Sequence, residues 1–260
     1  MSFDLSAFVK PPEDPLYDAV RKLVWHKYEN APRNRQVALG PSEIGELCLR
    51  NLAYNSMHHT EVNDGDPLPS IVGTAAHAWM EAACREFNEA AGQLVYIPES
   101  VVEVTDGLRG HSDCYYVPLR TVIDWKFPGP TQIKDKIKNG PGYQYRAQAH
   151  CYGKGFKRAG LPVDRVAIAF LPRGGFLKHM HIWSEPFDES FADEALARYY
   201  RILELAQDLE VIDHPERFTL FPKNPGHNCT YCSWFKPTNE DKGVTCPGYS
   251  DQTSTGISKK

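Results

Sequence analysis

Stretches with apolar residues at helical spacing alternate along the chain with short apolar runs rich in β-branched and aromatic residues. The first pattern is typical of amphipathic helices and the second of buried strands. Helices are predicted at 13–30, 42–57, 70–91, 141–159 and 188–212, and strands at 94–105, 108–117, 120–127, 163–172 and 178–184. The segment between the third strand and the fourth of these helices is predicted to be a flexible basic loop. Because helices and strands are interleaved, the predicted fold class is α/β with a layered core.

The third strand carries two charged side chains inside an apolar run. In VIDWKF, residues 122–127, Asp124 and Lys126 are two positions apart and therefore project from the same face. Asp113 lies in the preceding strand, and the short link between the strands predicts a β-hairpin. Two carboxylates beside an amine can hold a hard divalent cation and steady a water or a phosphate. The constellation therefore indicates metal-assisted phosphodiester cleavage.

An isolated Asp-x-Lys triplet is a weak signal, since most such pairs lie on solvated strand edges. Two flanking helices add polar candidates. His77 is followed four residues later by Glu81, on a helix whose small residues predict close packing, although a half-buried structural histidine is the plainer interpretation. Gln148 and Tyr152 belong to a polar stripe that is either an ordinary surface or a set of donors for phosphate oxygens.

Composition is that of a globular protein, with 42% hydrophobic and 24% charged residues and a net charge of −4. The basic charge is concentrated between residues 126 and 160, where eight Lys or Arg face one acidic residue. A solvated basic face is the commoner meaning of such a run, but its place beside the Asp-x-Lys triplet favours DNA binding. The candidate DNA contacts are Lys134, Lys136, Lys138, Arg146, Gln148 and Tyr152.

Seven cysteines bear on the cellular compartment: Cys48, Cys84, Cys114, Cys151, Cys229, Cys232 and Cys246. The N-terminus has no signal-peptide pattern, and no apolar stretch of about 18 residues could span a membrane. The sequence therefore predicts a cytoplasmic protein without a membrane partner, whose thiols stay reduced. An odd cysteine count also argues against a disulfide framework.

A C-x2-C pair, Cys229 and Cys232, precedes Cys246 in a polar tail punctuated by Pro and Gly. Two thiolates at this spacing can hold one metal ion or an iron–sulfur cluster. Cys48 is the natural fourth ligand and is predicted to lie on the helix at 42–57, capped by Ser42. The other three cysteines are interpreted as small buried apolar residues.

Four motifs occur in a recognisable order: Gly73 and His77 in G-x3-H, Gly110 and Asp113 in G-x2-D, Asp124 and Lys126 in D-x-K, and Gln148 and Tyr152 in Q-x3-Y. The series resembles the RecB-like branch of the PD-(D/E)xK nuclease superfamily over about residues 42–246. The resemblance implies a restriction-endonuclease-like core with a central mixed sheet flanked by helices. It also implies that His77, Asp113, Asp124 and the Trp125 carbonyl ligate Mg²⁺ or Mn²⁺. Lys126 would be the catalytic lysine, with Gln148 and Tyr152 at the DNA-facing edge.

The cysteine layout is similar to the iron–sulfur subset of that family, which includes CRISPR-associated exonucleases and AddB nuclease domains. That similarity implies a structural [4Fe–4S] cluster held by Cys48, Cys229, Cys232 and Cys246, in a C-terminal lobe. The 13 residues between Cys232 and Cys246 exceed the usual gap, which leaves His227 as a substitute ligand. Zinc is the alternative metal, since four thiolates also suit it.

The predicted division of the chain is an N-terminal helical extension at 1–40, a nuclease core at 41–215, a cluster lobe at 216–248 and a disordered tail at 249–260. The function predicted from these features is a metal-dependent DNA exonuclease that acts on single strands or free ends. Its partners would be DNA and, in addition, a second copy or proteins of recombination or CRISPR adaptation. Two alternatives remain open at this stage: a non-catalytic DNA-binding subunit, and a zinc-stabilised interaction protein.

Overall fold

Five strands form one mixed sheet at the centre of the molecule, as seen in a computed structural model that describes residues 15–30, 39–63, 65–237 and 240–249. The strands are β1 (Tyr96–Thr105), β2 (Leu108–Tyr116), β3 (Thr121–Lys126), β4 (Arg165–Phe170) and β5 (His181–Pro186). They lie side by side in chain order. The β3–β4 pair is parallel, and the other three pairs are antiparallel. The predicted strands, the hairpin and the α/β class are confirmed.

Seven α-helices accompany the sheet within the described residues: α1 (Pro15–Glu29), α2 (Pro41–Ile44), α3 (Leu49–Ser56), α4 (Leu68–Ala91), α5 (Pro130–Asn139), α6 (Tyr143–Arg158) and α7 (Glu189–Asp208). Parallel neighbours need a long crossover, and α5 and α6 supply it between β3 and β4. The Asp188 side chain accepts hydrogen bonds from the backbone N–H groups of Ser190 and Phe191, which fixes the start of α7.

Helix α6 packs directly on the sheet because two of its residues have no side chain. A Cβ at Gly155 would lie 2.8 Å from Val102 of β1, and one at Gly153 would lie 2.6 Å from Phe187. The buried side of α6 then meets apolar residues of β3 and β4, including Val122 and Ile168, which are fully enclosed. This packing fixes the helix that carries Gln148 and Tyr152 against the strands that carry the carboxylates.

A second core joins α3 and α7 to the C-terminal segment. The Tyr54 ring of α3 stacks on Trp234 with ring centroids 5.0 Å apart and packs against Phe218 at 4.4 Å. Arg50 of α3 is buried and contacts Asp241 with Nη1 2.7 Å from both carboxylate oxygens. Charged groups are rarely buried without such a partner. The C-terminal segment is thus part of the same packed unit as α3.

The predicted helix at 42–57 is wrong as a single element. It is interrupted at Gly45, where a Cβ would lie 2.5 Å from Gln144 Cα, so the chain approaches α6 too closely to continue as a helix with a side chain there. Cys48 precedes α3 at its N-cap position and does not lie on a helix. The cap before α2 is Gly40, not Ser42.

The predicted flexible loop after β3 is also wrong, because α5 occupies it. The Pro and Gly residues that suggested a loop lie at the ends of this helix, and Ile133 is buried on its inner face. The close packing predicted for α4 is wrong as well. Cys84 is its one buried residue, and Trp79 is 69% exposed. The predicted tail lies, apart from Tyr249, outside the described residues.

Candidate functional site

Asp113 and Asp124 lie next to each other where the β2–β3 ladder ends. The last pair of the register is Cys114 of β2 with Ile123 of β3. Asp113 and Asp124 are the next residues on the two strands and therefore lie opposite each other. Asp113 Oδ2 accepts a hydrogen bond of 2.7 Å from the backbone N–H of Trp125. A side chain of β2 therefore continues the pairing with β3 and places its carboxylate beside the Asp-x-Lys triplet.

His77 of α4 completes this arrangement from the other side. Its Nδ1 lies 2.9 Å from Asp113 Oδ1, so both oxygens of Asp113 are engaged. The Phe127 ring meets the imidazole edge-on, with centroids 5.5 Å apart. The structure thus places His77 beside Asp113, while their role as metal ligands stays a prediction. It does not pair His77 with Glu81, whose carboxylate binds Arg85 on the exposed face of α4.

Asp124 is buried, with 2% of its surface exposed, and Lys126 Nζ lies 2.7 Å from its Oδ2. The two charges are paired, yet within the described part of the chain no well-directed hydrogen bond reaches either oxygen of Asp124. Burial raises the pKa of Asp124 to about 6, against the opposing effect of the Lys126 ammonium, and the Asp113 carboxylate adds to the rise. Burial opposes the charged form of Lys126, but Asp124 and Asp113 together raise its pKa above the ordinary value.

The donor types suit a hard divalent cation. Asp124 offers two buried carboxylate oxygens, and Asp113 and His77 lie beside it. Mg²⁺ and Mn²⁺ take carboxylate oxygens readily, and an imidazole favours Mn²⁺. Among the described residues, no three His, Cys, Asp or Glu side chains already surround a point that would suit an ion. Each oxygen of Asp113 has one partner and keeps a second lone pair with which it could bind a metal.

Gln148 and Tyr152 lie one turn apart on the same face of α6. Both are buried, so their polar stripe is not the ordinary surface that was one of its two interpretations. Burial raises the pKa of the Tyr152 hydroxyl, and the nearby Asp124 charge adds to this effect. Gln144, one turn earlier, is exposed and donates a hydrogen bond to the Ser42 carbonyl. Whether Gln148 and Tyr152 contact DNA stays a prediction.

The basic segment is only partly available to a ligand. Lys134 and Lys138 are exposed on α5, and Lys136 is half-buried. Arg146 is held by Glu185 of β5 through two hydrogen bonds of 2.9 and 3.1 Å. The remaining basic residues of α6 all have acidic partners: Lys154 and Lys157 contact Glu189, and Arg158 contacts Asp106.

A groove of about 620 Å³ opens beside the carboxylates, and we call it the Lys126 groove. Its lining includes Lys126, Phe127, Lys136, Tyr145 and Asn228. Lys126 Nζ lies 5.0 Å from the centre of the Tyr145 ring, and Lys136 Nζ lies 5.6 Å from it. The groove thus places two ammonium groups near one aromatic ring, and Asp135, 3.7 Å from Lys136, also lies on its wall.

The four predicted ligand cysteines line one small buried cavity, although they come from distant parts of the chain. Cys246 returns to the lobe through a hydrogen bond of 2.7 Å from its N–H to the Trp234 carbonyl and a bridge to Phe235. Cys246 therefore lies beside the Cys229–Cys232 segment in spite of the long gap. All four thiols are buried and free of disulfides, namely Cys48, Cys229, Cys232 and Cys246.

Other groups around this cavity also face the sulfur atoms. Asn51 Nδ2 lies 3.4 Å from Cys232 Sγ, and Arg50 Nη1 lies 4.0 Å from Cys246 Sγ. A Cβ at Gly248 would lie 3.5 Å from Cys229 Sγ and overlap the Phe235 ring, so a glycine leaves this wall open. His227 also lines the cavity, with its Nδ1 3.2 Å from Glu46 Oε1.

Three acidic residues that support these sites escaped sequence analysis: Glu185, Asp241 and Glu46. Each binds a basic group far away in the chain, namely Arg146, Arg50 and His227. The predicted non-ligand cysteines lie elsewhere: Cys84 and Cys114 in one apolar cluster and Cys151 in another. Within the described residues, no helix combines the length and apolarity needed to cross a membrane.

No protein-family model matches the chain, and a comparison with curated proteins finds no match either. Among solved structures, the alkaline exonuclease LHK-Exo from Laribacter hongkongensis is 12% identical, with a TM-score of 0.47, over 70% of this chain and 94% of that one. A phage-related exonuclease from Haemophilus somnus is 13% identical, with a TM-score of 0.43, over 64% and 82%. LHK-Exo in complex with dAMP is 12% identical, with a TM-score of 0.43, over 69% of this chain and 97% of that one. Similarity this low establishes neither a shared fold nor a shared function.

Proposed function

We propose that this chain is a metal-dependent nuclease that hydrolyses phosphodiester bonds of DNA. The observation that carries the proposal is Asp124. Its carboxylate is buried, lacks a well-directed hydrogen bond to either oxygen among the described residues, and lies against Lys126 and Asp113. Burying an ion pair in this way is costly, and apolar residues would fill a purely structural role at a lower cost in free energy.

Asp113, Asp124 and His77 are the residues that would hold Mg²⁺ or Mn²⁺, with the Trp125 carbonyl as a further oxygen ligand. When bound, such an ion polarises the scissile phosphate and lowers the pKa of a water molecule. The hydrogen bond from the Trp125 N–H keeps Asp113 oriented toward this position, and His77 lies within reach of the same carboxylate.

Lys126 has two roles in this proposal. Its ammonium orients the attacking water, and its charge offsets the negative charge that builds up on the phosphate oxygens in the transition state. Asp124 and Asp113 keep Lys126 protonated, since both raise its pKa. The Tyr145 ring, with its centre 5.0 Å from the ammonium, lies on the same wall of the Lys126 groove. Gln148 and Tyr152 support the sheet face of the site from α6.

The proposed substrate is DNA with a single strand or a free end, and the proposed reaction is exonucleolytic. Support comes from the Lys126 groove, which is open to solvent and has two lysines and an aromatic ring on its wall. Phosphates bind such ammonium groups, and unpaired bases stack on such rings. Lys134 and Lys138 are available on the same helix as Lys136, whereas Arg146 would first have to leave Glu185.

For the cysteine lobe we propose a structural [4Fe–4S] cluster held by Cys48, Cys229, Cys232 and Cys246. The fit rests on four buried thiols that face one cavity, with a glycine wall at Gly248. Thiolates around a four-iron cube lie farther apart than thiolates around a single zinc ion. Four thiolates also suit a single zinc ion, so the iron and zinc content of the purified protein decides between the two.

The test is digestion of 5′-end-labelled single-stranded and duplex DNA with added Mg²⁺ or Mn²⁺. Asp124→Ala and Lys126→Ala should each lose at least about 100-fold in rate while keeping the wild-type fold. Asp106→Ala and Lys178→Ala are matched controls on the exposed surface and should retain full activity. Full activity of Asp124→Ala or Lys126→Ala would remove the assignment. A wild-type protein that binds DNA without cleaving it would leave a binding subunit instead.

A further inference from the structure

A second groove of about 650 Å³ lies between α6 and the cysteine lobe, and we call it the lobe groove. It shares Lys136, Tyr145 and Asn228 with the Lys126 groove. The two grooves therefore adjoin at these residues, and we call the path along them, from the Lys126 ammonium to the C-x2-C segment, the channel. The channel offers a path for a flexible polymer that extends from Lys126.

The wall of the lobe groove has the chemistry of a nucleotide-binding surface. Amide side chains line it, including Asn51, Asn55 and Asn228, and amides bond both phosphate oxygens and base edges. Its acidic residue, Glu46, is already engaged by the Cys48 N–H at 2.7 Å and by His227. The negative charge of Glu46 is thereby paired with His227. In the Lys126 groove, Lys126 pairs with Asp124 and Lys136 lies 3.7 Å from Asp135, so amide and aromatic side chains are what distinguish the wall of the channel.

Tyr231 is the most exposed aromatic side chain on this wall, at 80% of its surface. It occupies the short turn Cys229–Tyr231, between two cysteines that point inward to the thiol cavity. Because Cys229 and Cys232 are anchored in the lobe, the residues between them project outward. A tyrosine ring held on a rigid turn is a suitable stacking platform, whereas apolar packing would have buried it.

We infer that the cysteine lobe forms part of the substrate path, with Tyr231 stacking on an unpaired base of a single-stranded DNA that extends from Lys126. Asn228 and Lys136 lie between the two positions and contact the backbone in the shared part of the channel. The inference rests on the proposed nuclease function for the end of the path at Lys126. It assigns the lobe a direct contact with substrate in addition to its structural role.

The test is binding of a fluorescein-labelled oligothymidylate of 12 residues and of a blunt DNA hairpin, by anisotropy, with Ca²⁺ in place of Mg²⁺. Tyr231→Ala should weaken binding of the single strand about tenfold, and Tyr231→Phe should restore it to within about twofold, because the phenyl ring still stacks. Blunt-hairpin affinity should change less than about twofold. Tyr200→Ala, at an exposed tyrosine of α7 outside both grooves, is the control and should bind like wild type. Iron and zinc content are measured for each variant.

Hydrolysis of thymidine 5′-(p-nitrophenyl phosphate) separates this inference from the proposed function. This small ester reaches Lys126 without reaching the lobe, so Tyr231→Ala should cleave it at the wild-type rate. If wild type cleaves the ester and DNA but Tyr231→Ala binds the single strand normally, the lobe contact is wrong and the nuclease stands. Equal losses on the strand and the hairpin also overturn it, since stacking needs an unpaired base. If wild type cleaves neither substrate, both proposals fail.

Discussion

The carboxylate of Asp113 and the backbone N–H of Trp125 are joined by a hydrogen bond of 2.7 Å. The contact ties β2 to Trp125, between Asp124 and Lys126, so one proposed metal ligand is positioned by the strand that carries Asp124 and the Trp125 carbonyl. Asp113 thus has a structural role and a chemical role, and two substitutions separate them.

Asp113→Asn keeps an oxygen that accepts from Trp125 but removes the negative charge next to His77 and Asp124. We expect its free energy of unfolding to stay within about 1 kcal/mol of wild type, while DNA cleavage falls at least about 100-fold. Asp113→Ala should lose the same activity, and its free energy of unfolding should fall by a further amount of about 1–3 kcal/mol, because the Trp125 N–H is left without a partner. Denaturant unfolding and end-labelled digestion measure the two effects. An active Asp113→Asn protein would contradict the ligand role.

Two glycines of the motif series, Gly110 and Gly73, differ in how much space surrounds them. A Cβ at Gly110 would overlap Pro41 and lie 3.0 Å from the Tyr152 ring, whereas one at Gly73 in α4 meets nothing within 4 Å. Gly110→Ala should therefore destabilise the protein by about 1–3 kcal/mol through overpacking. Gly73→Ala should stabilise it by about 0.5–1 kcal/mol, since alanine is the better helix former. Thermal unfolding of the two variants measures this difference. Equal shifts in melting temperature would show that Gly110 and Pro41 are not in close contact.

The strands and the Asp113–Asp124–Lys126 group could be predicted because both follow from local pattern. The two-residue period fixes the face of Asp124 and Lys126, and a short link makes β2 and β3 neighbours. The break at Gly45 could not be predicted, because it depends on the approach of α6, 99 residues away at Gln144. Helix α5 was missed for a local reason: its flanking Pro and Gly resembled loop signals.

The partners of the basic residues escaped prediction because they are set by tertiary pairing. Glu185 reaches Arg146 and His150 only because β5 lies beside β4 and α6 crosses the same sheet. A charge count along residues 126–160 therefore overstated the free positive charge of this face. The exposed lysines of α5 and the half-buried Lys136 are what remains for a phosphate backbone.

The Glu185 contact predicts a pH dependence of stability. Burial opposes the ionised form, but hydrogen bonds from Arg146 and His150 outweigh it and hold the pKa of Glu185 below its usual value. A lowered pKa in the folded state means that the ionised group stabilises the protein above about pH 4.5 and that this contribution is lost as pH falls through the lowered pKa. Glu185→Gln should therefore cost about 1–2 kcal/mol at pH 7, and the difference from wild type should shrink in acid.

Urea unfolding at several pH values measures that difference. Glu81→Gln is the matched control, since Glu81 pairs with Arg85 on the exposed face of α4 and should contribute less than about 0.5 kcal/mol at any pH. A Glu185→Gln difference that grows as the pH falls would mean that Glu185 is not held in its ionised form by these partners. Because Glu185→Gln also frees Arg146 from its acidic partner, DNA binding by this variant should not weaken.

The cysteine lobe gives the prediction that is simplest to observe. Cys48 lies before α3 and the other three ligands lie in the C-terminal segment, so ligation closes a loop across most of the chain. Cross-linking distant residues stabilises a fold by limiting the unfolded chain, on the order of several kcal/mol for loops of this length. Cys229→Ser should lose the cluster, lower the melting temperature and weaken DNA binding.

Anaerobically purified wild type should be brown, absorb near the blue end of the visible spectrum and contain iron and sulfide. Cys229→Ser should be colourless, while Cys151→Ala, which changes a buried thiol of α6 outside the thiol cavity, should keep both colour and iron. A colourless wild type with one zinc ion per chain would replace the cluster by a tetrathiolate site but keep the loop closure. If wild type holds neither metal, the proposed cluster and its loop closure are wrong. The melting temperature of Cys229→Ser should then match that of Cys151→Ala.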